Sequence, residues 1–239
     1  SSDVCSSDLD GVLINGIEEY WFTCSRACDI VLKLAPNTSY QEFNEKVPEE
    51  FIKLRPLVTK GWEMLLLAYA IISLKDKWND DFFYNFKDNF QFTCKSIADE
   101  NNFEENFLQS LLDKTRGQII KEDLDYWISK HQLFVGIKDL LYELKRKKLN
   151  FIILSSKNSK FLKYLCPKFE INPIEIFGYE HGSKISILKN INNNYEIIGF
   201  IEDRREALEE VLNDNLLSKI PCFFAEWGYN LDEDKINLK

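Results

Sequence analysis

Asp8 and Asp10 stand two residues apart and run directly into Gly11, Val12 and Leu13. On an extended segment, side chains i and i+2 share a face, so both carboxylates would leave the end of a strand together. Two acids held that close repel unless a cation or a shared proton relieves them. Such a pair is a chemical signature only if the rest of the chain brings partners to it.

The partners come from stretches where a polar residue follows an apolar run. Phe151–Leu154 runs into Ser155, Ser156 and Lys157, and Glu196–Ile201 runs into Glu202 and Asp203. Lys184 stands between them at the start of a helical pattern. From Phe134 to Glu226 the sequence predicts helices and strands in alternation. A helix follows Gly136 with Ile137, Leu140, Leu141 and Leu144 on one side; further helices cover Lys160–Cys166, Ser183–Ile191 and Arg204–Asn213. Strands are predicted at Phe151–Leu154, Ile174–Phe177, Glu196–Ile201 and Pro221–Ala225. This spacing argues for an α/β fold with a doubly wound, mostly parallel sheet. Ligands of such sheets bind beyond the carboxyl ends of the strands, where these polar residues fall.

Between Ile14 and Gln132 the pattern is helical, without convincing strand alternation. Ile17, Tyr20, Trp21, Cys24, Cys28, Val31, Leu32 and Ala35 recur at helical steps up to Pro36. Pro48 opens a second helix, with Glu49 and Glu50 in its first turn. Pro56 begins a third, running through Trp62, Met64–Leu67 and Ile71. Phe82–Ile97 and Glu104–Lys130 read as helices, with turns at Asn79–Asp81 and Glu100–Asn102. The expected organisation is an α/β core of residues 1–16 and 133–239 with an all-helical insertion of 17–132. Arg55 or Lys60 could reach an anionic substrate from the insertion, or stand at a solvated helix start.

Composition narrows the function. A net charge of -9 disfavours nucleic acid as a partner. The longest apolar run, Met64–Leu74, is interrupted by Ser73 and too short for a bilayer, so no membrane partner is expected. No secretory signal is visible, and the expected location is cytoplasmic, or the chloroplast stroma in a plastid-bearing organism. The six cysteines form no CxxC pair and read as reduced thiols. Cys24 and Cys28 could share a helix face, but no second pair completes a zinc site. His131 and His181 show no partner pattern and read as surface residues.

Residues Ser1 to Leu9 lack the apolar run expected of a buried strand ahead of Asp8. They resemble the translation of a common sequencing adapter. On that reading residues 1–9 are artefactual, Asp8 is adapter-encoded and the native sequence begins at Asp10. A chain lacking the apolar half of a central strand is expected to fold poorly or to be inactive.

With these residues in hand, the chain resembles the haloacid dehalogenase (HAD) superfamily of hydrolases, with a helical cap inserted after the first strand. Asp8-x-Asp10-Gly11-Val12, Leu154-Ser155-Ser156-Lys157, Gly182-Ser183-Lys184 and Ile201-Glu202-Asp203 resemble its four motifs, in order. Phe134–Ile137 resembles the return from cap to core. The match spans nearly the whole chain and is similar to phosphoglycolate-phosphatase-like members, including uncharacterised ones of cyanobacteria and chloroplasts.

The resemblance implies a Rossmann-like HAD core and a phosphatase acting on a small phosphorylated metabolite through an aspartyl-phosphate. Asp8 would be the nucleophile and Asp10 the general acid and base. Mg2+ would be held by Asp8, the Asp10 carbonyl and Asp203, with Glu202 contributing through water and Glu206 a weaker candidate. Ser155, Ser156, Lys184 and Arg55 would bind the substrate, and Ser155 and Lys184 would assist the reaction. Lys157 and Lys189 are rivals of Lys184. A sugar-phosphate mutase shares the same motifs, and a catalytically idle binding protein is the alternative outside enzymes. Carbon–halogen hydrolysis does not call for a second acid at Asp10. Oligomeric state is not readable.

Overall fold

The computed structural model describes residues 3–32 and 46–236, and its chain divides into two units. One comprises Ser1–Gly16 with His131–Lys239, the other Ile17–Lys130. The first carries strands β1 (Asp3–Ser7), β2 (Ile14–Asn15), β3 (Gln132–Leu133), β4 (Asn150–Leu154), β5 (Glu175–Phe177), β6 (Glu196–Glu202) and β7 (Cys222–Phe224). Five of them form a parallel sheet in the order β5-β4-β1-β6-β7.

The central strand is the polar stretch that lacks the apolar run expected of a buried strand. Val4 to Ser7 pair with Asn150 to Ile153 on one side, and Asp3 to Ser7 pair with residues of β6 on the other. A segment flanked on both sides can satisfy its backbone N–H and C=O groups in the ladder whatever its side chains. The cost falls on those side chains. Ser6 is fully buried and its Oγ has no hydrogen-bond partner, whereas Ser7 Oγ donates to Asp8 O at 2.7 Å.

The second unit is helical: α1 (Ile17–Val31), α2 (Glu49–Leu54), α3 (Gly61–Ser73), α4 (Asp80–Asp88), α5 (Phe90–Glu100), α6 (Glu105–Glu122) and α7 (Leu124–Ser129). The expected helix end at Ala35 and Pro36 lies outside the described residues. Three of the expected long helices are broken, each by local polar chemistry. Pro56 sits in a short 3-10 turn, Arg55–Leu57, and α3 starts only at Gly61, where the Glu63 carboxylate accepts from the amides of Thr59 and Lys60 at 2.6 and 3.0 Å. Asn89 interrupts 82–97 outside the helical region of φ and ψ. Asp123 ends α6, and its side chain accepts from Tyr126 N at 2.9 Å to start α7. Asp80 and Asp81, expected in a turn, form the first turn of α4 under an Asn79 cap.

This unit has its own apolar core, with Tyr20, Cys24, Phe51, Leu65, Leu66, Phe86 and Leu112 among its members. A hydrogen-bonded polar cluster lies deep inside. Glu19 accepts from Thr23 Oγ1 at 2.7 Å, Arg116 Nε at 2.7 Å and Trp127 Nε1 at 3.0 Å. Burial works to lower the Arg116 pKa, but Glu19 and its neighbours outweigh it and hold the guanidinium above its usual range.

Helices α8 (Ile137–Arg146), α9 (Ser159–Lys168), α10 (Lys184–Asn192) and α11 (Arg205–Asn213) complete the first unit. Ile187, Leu188 and Ile191 of α10, with Leu208 and Val211 of α11, join Val4, Ile152, Leu154, Ile197 and Phe200 of the sheet in one core. Strands β2 and β3 pair antiparallel, Ile14 with Leu133 and Asn15 with Gln132. The chain leaves for the helical unit and returns through this ribbon, which is too short for a periodicity reading to detect. No helix of the described residues is long and apolar enough to cross a membrane.

Candidate active site

The sheet order fixes where chemistry can gather. β1 lies between β4 and β6, so the loops that follow these three strands meet at one end of the sheet. Asp8 and Asp10 follow β1, Ser155 follows β4, and Glu202 and Asp203 end and follow β6; all five are buried. After β1 the backbone folds tightly on itself, with Leu9 O accepting from the amides of Leu13 and Ile14, both at 2.9 Å. Gly11 has φ +88°, and a Cβ there would lie 2.0 Å from Asp203 Oδ2. Only glycine lets the β1 loop approach the Asp203 carboxylate this closely.

Carboxylate oxygens of Asp8, Glu202 and Asp203 lie within 4.8 Å of one another. Lys184, first residue of α10 after the Ser183 cap, bridges two of them, at 2.6 Å from Asp8 Oδ2 and 2.5 Å from Glu202 Oε2. Burial pushes the Asp8 carboxyl up to about 7; Lys184 opposes the shift, and the charges of Glu202 and Asp10 add to it. Burial alone would lower Lys184, but Asp8 and Glu202 hold it well above its ordinary value.

Of the rival lysines, Lys189 pairs with Asp214 at 2.6 Å, away from the carboxylates. Lys157 is part of the site. Its side chain is 0% exposed and its Nζ lies 3.3 Å from Asp10 Oδ1. Asp10 Oδ2 is buried with no hydrogen-bond partner. Ser155 Oγ accepts from the Lys157 amide at 3.1 Å, a turn contact that orients the lysine. Ser156 is half-buried beside it. Glu206 is an exposed partner of Arg204 and stands outside the cluster.

Other expectations fare differently. Arg55 belongs to the helical unit, where it is buried over the Tyr20 ring with its Cζ 5.7 Å from the centroid, not in a solvated helix start. Lys60 forms an exposed ion pair with Glu105. His131, read as a surface residue, is buried, with its ring near Gly16. His181 is half-exposed and faces Phe177 edge-on.

Sequence reasoning also passed over the segment after β7. Tyr229 N donates to Asp203 Oδ2 at 2.7 Å, Trp227 Nε1 donates to Val12 O at 2.9 Å, and a Cβ on Gly228 would lie 2.2 Å from Gly11 O. The only sequence signal was a Trp-Gly-Tyr run directly after the last strand.

The donor set suits a hard divalent cation. Asp8, Asp10, Glu202 and Asp203 face two ammonium groups, Lys157 and Lys184, which leaves two negative charges in a buried space when all four acids are ionised. Oxygen-only donors of this kind match Mg2+, and its charge would balance the excess.

No family model matches the chain, and no curated protein matches it. Solved structures do. A predicted phosphatase from Clostridium acetobutylicum shares 17% identity at a TM-score of 0.59, over 98% of this chain and 89% of that one. A phosphatase from Thermococcus thioreducens shares 13% at 0.56, over 92% and 91%. A haloacid dehalogenase-like family hydrolase from Streptococcus pneumoniae shares 16% at 0.51, over 99% and 90%. The chain thus has the fold of the haloacid dehalogenase-like hydrolases, a doubly wound α/β core with a helical insertion.

Proposed function

We propose that the chain is a Mg2+-dependent phosphomonoester hydrolase acting on a small phosphorylated metabolite. The convergence of three carboxylates on one point, with Lys184 beside them, carries this reading. The phosphatase descriptions of two structural neighbours agree with it.

Asp8 is the nucleophile. Its carboxylate oxygen forms a bond to phosphorus while the ester P–O bond breaks, giving an aspartyl-phosphate and an alkoxide. Asp10 gives the alkoxide a proton, and its Oδ2 has no internal partner to compete for that role. Asp10 then takes a proton from the water that attacks the aspartyl-phosphate, releasing inorganic phosphate and restoring Asp8. Lys157 holds Asp10 Oδ1, so the other oxygen is the one presented. Lys184 supplies positive charge for the phosphoryl oxygens, and the Ser155 and Ser156 hydroxyls can donate to them. Asp8, Asp203, Glu202 and the Asp10 carbonyl would hold Mg2+, which when bound offsets repulsion between the attacking carboxylate and the phosphate dianion.

The test is phosphate release from a generic aryl phosphate. Turnover is expected with Mg2+, is lost with a chelator, and falls by about 10² or more in Asp8→Asn and Asp10→Asn. Activity unchanged by chelation would overturn the reading. Interconversion of phosphosugars without net phosphate release would identify a mutase instead.

A further inference from the structure

Tyr229 makes three contacts that join parts of the fold far apart in sequence. Its amide donates to Asp203 Oδ2 at 2.7 Å, its hydroxyl donates to Asn15 Oδ1 at 2.7 Å, and the same oxygen accepts from Gly16 N at 2.9 Å. Its ring meets Phe134 edge-on, with centroids 6.3 Å apart. Asp203 belongs to the carboxylate cluster. Asn15 and Gly16 form the outgoing linker to the helical unit, and Phe134 follows the incoming one.

We infer that Tyr229 is a positioning residue that couples occupancy of the carboxylate cluster to the linker of the helical unit. A phenol has one proton to donate, and here it goes to Asn15, while a lone pair is taken by Gly16. The linker is therefore registered against the tyrosine by two bonds of opposite polarity, which a sliding or rotating backbone cannot keep. At its other end the residue answers to Asp203, which Gly11 and Gly228 hold in a space with no room for a methyl group. Packing this close leaves Asp203 little freedom to adjust alone. A charge drawn to the Asp203 carboxylate acts on the Tyr229 amide, and through the ring on Asn15 and Gly16. The linker thereby becomes part of the binding event.

This inference rests on the cluster holding a divalent cation, so the experiment separates the two claims. Mg2+ affinity is measured by calorimetry, and amide hydrogen exchange at Gly16 is followed by NMR with and without Mg2+, in the full chain and in Tyr229→Phe. The variant keeps the ring and the amide contact to Asp203 and loses both hydroxyl bonds. Without metal, exchange at Gly16 is expected to rise roughly tenfold or more in Tyr229→Phe. In the parent chain Mg2+ is expected to slow Gly16 exchange. In the variant Mg2+ binds within about threefold of the parent affinity, since the amide contact is intact, but the slowing is lost. Asn15→Asp, which keeps an acceptor for the phenol, retains the coupling, and Asn15→Ala loses it. Binding of Mg2+ with Gly16 exchange that ignores either the metal or the phenol would overturn the inference. Failure of Mg2+ to bind the parent chain would overturn the cation reading and the coupling with it, while the metal-free comparison still decides whether Tyr229 holds the linker.

Discussion

At the scale of single residues, the site keeps charges where an apolar core would be more stable. Asp8 is the clearest case, because its carboxyl is pushed up to about 7 by burial against the opposition of Lys184. A folded-state pKa raised above the unfolded value of about 4 means that the folded chain binds the proton more tightly. The resulting stability is fully present below pH ~4 and is lost as pH rises through about 7. Thermal melts in chelator should therefore show a midpoint that falls between about pH 4 and about pH 7, the window of that shift. Asp8→Asn, which carries no titrating group, should flatten this fall and melt higher than the parent at pH 8 while losing turnover. A parent midpoint that rises across that window would contradict the assignment. Gly11 offers a purely steric counterpart. Gly11→Ala places a methyl group against Asp203 in a backbone region unfavourable to L-residues, and Mg2+ affinity measured by calorimetry should fall by about tenfold or more.

At the scale of elements, what the sequence reveals depends on whether side chains or neighbours decide the structure. The strands β4 and β6 are legible as apolar runs, and the helices α9 to α11 by apolar residues at helical spacing. The acids and Lys184 are legible because they follow those runs. β1 is not legible: its residues are mostly polar, and its place is set by partners about 145 to 195 positions away. The pairing of Lys157 with Asp10 and the anchorage of Tyr229 are hidden for the same reason, since no local pattern announces a contact across the fold. Ser6 gives β1 a test. Removing its buried, unpartnered hydroxyl in Ser6→Ala should stabilise the chain by about 1 kcal/mol and raise the melting midpoint by about 2–4 °C. In the helical unit the sign reverses. Glu19→Gln takes the nearer counter-charge from the buried Arg116 guanidinium, leaving Asp113 at 3.5 Å, and should cost about 3 kcal/mol, read as a shift in urea midpoint.

At the scale of the whole molecule, the helical unit interrupts the α/β core between its first strand and the rest, yet the interruption closes on itself. Asn15 and Gln132 are direct partners in the antiparallel β2–β3 ribbon, so the chain departs and returns at neighbouring positions. Each unit holds an apolar cluster of its own among the described residues, one with Tyr20, Phe51 and Leu112, the other with Val4, Ile152 and Phe200. A two-residue turn of the Asn-Gly kind can join the strands of such a ribbon. Replacing residues 17–130 by such a turn should leave a core that unfolds cooperatively in urea, because no member of its apolar cluster is removed. Asp8, Glu202, Asp203 and Lys184 all remain, so that core should bind Mg2+ within about tenfold of the full chain, by calorimetry. A core that unfolds without cooperativity would mean that the sheet needs the insertion to fold; one that folds but no longer binds Mg2+ would mean that the insertion helps hold the carboxylates in place.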